Sequence, residues 1–233
     1  LILSLCLRAL LGRGEGARRP IFRELLALAL PLTGMRLVSA LMQTVNASLI
    51  PARLRLFGFS AEQAMASLGI FHGMLKPVLM LPSFIVCSLS MAASPELTRM
   101  QAEGKPLACL SRRMLAATLL VGGGAMAGVF VFAPLIANVF YKQAALLPLL
   151  RAACPLVPVM AMNHVCGGMM NALGLQKTSL KISLASSLTA VTAVYCLIPK
   201  IALWGAVVSL AAAQGLTLFF SLRALRRSGC TAR

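Results

Sequence analysis

Apolar residues fall in long blocks along this chain, without the strict alternation of a half-buried strand, and short gaps rich in Arg and Lys separate the blocks. At about 20 residues per crossing, six blocks are long enough to span a bilayer as helices: 24–50, 63–93, 110–133, 146–173, 178–198 and 201–222. A shorter block, 1–11, is expected to be the end of a helix that begins upstream, because an apolar run of that length cannot cross. The pattern therefore predicts an all-α polytopic membrane protein with six full transmembrane helices plus a truncated N-terminal one.

Composition excludes a soluble domain: 59% of the 233 residues are hydrophobic and 12% charged, and mean hydropathy is +0.88. The formal charge is +17, from 22 Lys and Arg against five Glu. In a soluble chain that excess suggests nucleic acid. Here the basic residues sort into the gaps, where they orient helices and meet anionic membrane lipids, so no nucleic-acid partner is expected. Arg13, Arg18, Arg19, Arg23, Arg99, Lys105, Arg112, Arg113, Lys177, Lys181, Arg223, Arg226, Arg227 and Arg233 fall on one side, against Arg53, Arg55, Lys142 and Lys200 on the other. The positive-inside bias puts the larger set in the cytoplasm. Tyr141, Tyr195 and Trp204 fall at the opposite helix ends, where amphipathic rings favour the headgroup layer. Residues 12–23 thus read as a basic cytoplasmic loop, 24–222 as a six-helix transmembrane lobe and 223–233 as a basic cytoplasmic tail.

Two cations lie deep within apolar blocks that contain no acidic partner at that depth: Arg36 in the first full crossing and Lys76 in the second. A Lys or Arg at the centre of a spanning helix costs roughly 2.5–3.5 kcal/mol on insertion scales, so such residues normally face a cavity. At 100° per residue Thr33, Arg36, Ser39, Gln43 and Asn46 share one helix face, as do His72, Lys76, Ser83 and Ser90 on the next helix. Asn163, Gly167, Asn171 and Gly174 line one side of the fourth crossing, and Ser179, Ser183, Ser186 and Ser187 one side of the fifth. Small polar residues also serve helix packing, and Gly124 with Gly128 forms a small-xxx-small pair expected to mark a close helix contact. Arg36, Lys76, Gln43, Asn46, His72 and Asn163 are the candidate substrate-binding residues of an anion-binding cavity. Pro77, Pro82, Pro155 and Pro158 interrupt backbone bonding in the second and fourth crossings and are expected bending points.

No chemistry-bearing constellation accompanies them. Gly12, Gly14 and Ala17 match a dinucleotide-binding spacing but follow no strand. His72 and His164 have no carboxylate or Cys at ligand spacing on the same helix face, and the seven cysteines form no CxxC pair. Neither an enzyme nor a cofactor or metal is expected.

The run Leu28-Ala29-Leu30-Pro31-Leu32-Thr33-Gly34-Met35-Arg36-Leu37 opens a helix after a basic loop. With Leu81-Pro82-Ser83, then Ser94-Pro95-Glu96-Leu97 at a helix exit, and the stretch from Pro155 through Asn163-His164-Val165-Cys166-Gly167-Gly168 to Lys177, it resembles the multidrug/oligosaccharidyl-lipid/polysaccharide (MOP) exporter superfamily. Within that superfamily the likeness is to the stage V sporulation protein B group of polysaccharide flippases. The resemblance implies one lobe of a MATE/MOP-type two-lobe transporter, with the N-terminal lobe missing from this chain. It further implies a multi-pass protein of the bacterial plasma membrane that moves a lipid-linked anionic saccharide, a cell-wall or spore-wall precursor, by alternating access. Arg36 matches an arginine that such proteins often carry early in this helix. Two rivals are a cation-coupled multidrug antiporter of the same superfamily and a non-transporting wall-assembly factor.

Overall fold

A computed structural model describes the backbone of residues 18–105 and 107–227, and the side chains of 37–227 apart from Leu89 and Pro106. The described residues are mostly helical, with short turns between helices and no strand among them. In chain order the helices are α1 (Arg18–Leu56), α2 (Ala61–Leu68), a π-helical segment (Gly69–Leu75), α3 (Lys76–Ala102), α4 (Ala108–Leu135), a second π segment (Ile136–Phe140), α5 (Leu146–Ala153), α6 (Leu156–Ala172), α7 (Gln176–Ile201) and α8 (Leu203–Arg227). The chain divides between Leu41 and Met42 into two units. The second unit, Met42–Arg233, carries the packed bundle.

Four helical stretches are long and apolar enough to cross a membrane: Ala61–Ser88, Ala108–Phe140, Gln176–Ile201 and Leu203–Arg227. A fifth crossing forms if α5 and α6, bent by 54° at their junction, make one broken span. These five correspond to the second through sixth blocks of the sequence. The first block falls in α1, whose side chains before residue 37 lie outside the described residues, as do 1–17 and the tail from 228.

The 54° bend sits where the sequence places its proline pair. Pro155 caps α6, and the Val157 N–H turns back to the Cys154 carbonyl at 3.0 Å, so the chain changes direction without leaving that carbonyl unpaired. The second crossing starts at a capping box: the Ser60 hydroxyl accepts from the Gln63 N–H at 3.2 Å while the Gln63 side chain accepts from the Ser60 N–H at 3.1 Å. Its far end differs from expectation. Instead of leaving the helix at Pro95, the chain stays helical to Ala102 and ends in a charged turn. There Glu103 bonds Lys105 at 2.6 Å and Arg99 at 2.9 Å, and the Lys105 ammonium, followed by the Arg99 guanidinium, holds the Glu103 carboxyl below its usual range.

The central element is α6. Leu156, Val157, Met160, Ala161, Val165, Cys166, Met169 and Met170 are all buried, the distribution of a helix enclosed on several sides. It packs on α3, α4 and α8, while α7 and α8 form the most extensive pair. Close approach depends on small residues, though at positions other than the expected ones. A Cβ at Gly122 would sit 2.9 Å from the Pro158 Cα, whereas Gly124 and Gly128 face open space. Gly168 of α6 abuts the Ser90 hydroxyl of α3. The expected pair Gly124 and Gly128 is thus corrected to Gly122, because contact follows the helix face turned to α6 and not the small-xxx-small spacing alone.

Gly174, at φ +72, ends α6 in the left-handed conformation. The Leu175 N–H reaches back to Met170 O at 2.8 Å, turning the chain directly into α7. At the other end of α7 the corner to α8 is tighter still: Ala202 takes φ 49, and buried Gly205 rests on the backbone of Leu197 and Ile198.

The apolar core has two clusters. One gathers Ile50, Leu54, Phe71, Leu75, Leu79, Leu150, Met160, Val194, Ile198 and Val207. The other gathers Val86, Leu97, Met114, Val165, Met169, Ile182 and Leu225. Along α3, α7 and α8 the residues between the two sets include Ser83, Ser186, Gln214 and Thr217, whereas on α6 the sets meet directly at Met160 and Ala161.

Candidate functional site

Lys76 lies about midway along the crossing Ala61–Ser88. At 1.5 Å per residue, about 18 Å or more of helix separates it from either end, too far for its stem to carry the charge to the headgroup layer. It is half-buried. Among the described residues the ion pairs are those of Glu103, so Lys76 has no acidic partner.

The backbone at this point is distorted. The seven residues Gly69–Leu75 form a π-helical turn, and the Lys76 N–H donates to Phe71 O, five residues back. Pro77 explains the widening, since its ring crowds the carbonyl four residues earlier and supplies no N–H to it. A wider turn relieves that crowding, and π turns within α-helices recur at functional sites. Phe71 and Leu75 turn into the core, which leaves His72 and Lys76 on the flank of the buried stripe. The Phe71 ring meets the His72 ring edge-on at 5.2 Å. His72 Nε2 is buried and has no hydrogen-bond partner among the described residues. An unpaired cation and an unpaired imidazole nitrogen, four residues apart, thus face one region at membrane depth.

The other candidates are placed differently. Arg36 is helical in α1, and its side chain lies outside the described residues. Gln43 is exposed on α1, and Asn46 is half-buried with an unpartnered Oδ1. Asn163 is engaged in packing: its amide donates to the Gln214 side-chain oxygen at 2.7 Å and to the Gln214 carbonyl at 3.0 Å, tying α6 to α8. The Ser186 hydroxyl donates to Ala213 O at 3.0 Å, and Thr217 bridges to Ser186 at 2.7 Å. The serine stripe of the fifth crossing therefore forms part of the α7–α8 seam at Ser186. Ser83 and Ser90 of the second crossing are fully buried.

Gln214 was not singled out from the sequence, although a lone amide within the apolar stretch of α8 was the available signal. Removing the pair should expose its weight. Across a double-mutant cycle of Asn163→Leu and Gln214→Leu, followed by denaturation in detergent, the coupling is expected to be about 0.6 kcal/mol and no more than about 1.7.

At the opposite ends of the helices two cations rest on rings. Arg53 lies 3.3 Å over the Tyr195 ring, and Arg151 lies 5.7 Å over Phe130. Among the described residues no three of His, Cys, Asp and Glu converge as a metal-ligand set.

No family model matches the chain, and no solved structure matches it. The chain is similar to stage V sporulation protein B of Bacillus subtilis (strain 168), with 27% identity over 208 residues, covering 87% of this chain and 40% of that protein. It therefore spans about two fifths of the length of the curated relative that it matches. With the apolar helices, this likeness supports a polytopic membrane protein.

Proposed function

We propose that the chain is one lobe of a membrane transporter that moves a lipid-linked anionic saccharide across the bacterial plasma membrane by alternating access. The observation that carries this reading is Lys76: half-buried, unpaired by any acid among the described residues, and set in a π-widened turn midway along a crossing. An unpaired cation at that depth is costly unless it meets water or an anion. A phosphate-bearing headgroup supplies that anion. Arg36, deep in the preceding helix, is the second proposed cation. The lipid tail stays in the bilayer while the headgroup crosses.

Two backbone features supply bending points, the π turn at Gly69–Leu75 and the 54° break between α5 and α6. Both interrupt regular helical bonding, as the helices of secondary transporters do around their sites. The similarity to a sporulation protein is consistent with a wall precursor as cargo.

The test is translocation of a fluorescent lipid-linked oligosaccharide by the full-length protein in proteoliposomes, read by quenching of the label that remains outside. Protein-dependent translocation that an Arg36→Gln, Lys76→Gln double variant of equal folding lacks is the expected result. Uptake of cationic drugs driven by an ion gradient, with no movement of the lipid, would replace this reading with the antiporter. Intact wall assembly in cells carrying the double variant would replace it with the assembly factor.

A further inference from the structure

An open cleft beside the bundle lies away from Lys76, which is not among the residues lining it. It has a volume of about 640 Å³ and lies between α7 and α8, at the end carrying Lys177, Arg223, Arg226 and Arg227. Thr178, Ile182, Phe220, Arg223, Ala224 and Arg227 line it. Arg223 and Arg227 are four residues apart and so project from one face of α8. Both are exposed, and neither has an ion-pair partner among the described residues. Below them the walls are apolar, formed by Ile182 and the exposed Phe220 ring.

We propose that this cleft holds one acidic glycerophospholipid of the adjacent leaflet. The phosphate is clamped between the two guanidinium groups with the Thr178 hydroxyl beside them, and an acyl chain lies along Ile182 and Phe220. Charge complementarity selects the occupant. Two forked donors, with no acid among the described lining residues, match a phosphate diester, and their position at the end of a spanning helix pair is the level at which headgroups lie. The apolar floor distinguishes an amphiphile from a free anion, which would gain nothing from Phe220. Ala224 keeps the cleft open, because a larger side chain there would fill it. The proposal is independent of transport and requires only that α7 and α8 span the membrane.

Native mass spectrometry of the full-length protein, titrated in detergent with phosphatidylglycerol or phosphatidylcholine, tests it. Retention of phosphatidylglycerol over phosphatidylcholine is expected, and Arg223→Gln with Arg227→Gln should weaken it about 30-fold, as two basic groups at a membrane surface imply. Lys142→Gln with Lys200→Gln, the same loss of charge at the opposite helix ends, should leave it unchanged. Ala224→Trp keeps both arginines and should abolish retention by filling the cleft. Equal retention of both lipids, full retention by the arginine double variant, or full retention by Ala224→Trp would each overturn the proposal. So would displacement of the lipid by millimolar inorganic phosphate, which would assign the site to a free anion.

Discussion

Lys76→Gln is expected to slow translocation of the lipid-linked oligosaccharide by about 10- to 150-fold, taking about 1.5–3 kcal/mol for a hydrogen bond to a charged group. The same variant should melt at or above the wild-type temperature. Lys76 has no acidic partner among the described residues, and its burial is a cost that a neutral amide of similar length largely removes. Opposite movement of activity and stability is the signature of a group retained for its ligand. A purely structural Lys would lose both together or neither. Lys76→Arg, which keeps the charge on a longer stem, should recover part of the rate. Thermal melts in detergent beside proteoliposome rates check both quantities, and unchanged transport with Gln would remove Lys76 from the site.

Gly205→Ala should be the most damaging single methyl in the bundle. Its Cβ would lie 2.8 Å from the Ile198 nitrogen and 2.8 Å from the Leu197 carbonyl carbon. Both are backbone atoms held by the last turn of α7, so neither can move aside as a side-chain tip can. Overpacking costs about 1–3 kcal/mol and more where the backbone must shift, and the upper end is expected here. Gly124→Ala offers the opposite sign in the same protein. Its Cβ meets nothing within 4 Å, so helix propensity alone should stabilise by about 0.5–1 kcal/mol. Chemical denaturation of the two variants side by side, with opposite shifts, would establish that the α7–α8 corner is set by backbone contact. A neutral Gly205→Ala would show that the corner can relax.

What could be read from the sequence follows from what a bilayer dictates. Long apolar blocks must become helices because no water is present to satisfy the backbone, and blocks two to six appear as four crossings and one bent pair. The bend was visible as Pro155 and Pro158. The π turn was not, because Pro77 reports that a carbonyl must be relieved without saying whether the chain kinks or widens. Polar stripes were legible as stripes but not as partners. A helical wheel places Asn163 and Ser186 on polar faces, yet only packing shows that Gln214 and Thr217 occupy them. Lys76 stood out because its oddity is energetic and needs no neighbour to be seen.

The end of α1 carries a consequence for how the protein is made. Ile50 and Leu54 are buried in a cluster whose other members include Leu146, Leu150, Val194, Ile198 and Val207, and Arg53 rests on Tyr195. Every one of those partners is synthesised long after α1. The Arg53 guanidinium must therefore stay solvated at the surface until α7 has emerged from the ribosome, while Phe71, Leu75 and Leu79 of the same cluster follow α1 directly. A ribosome stalled before Tyr195 would hold a chain with most of this cluster already made but without Ile198 and Val207, so the last two crossings are the pieces that close that half of the core.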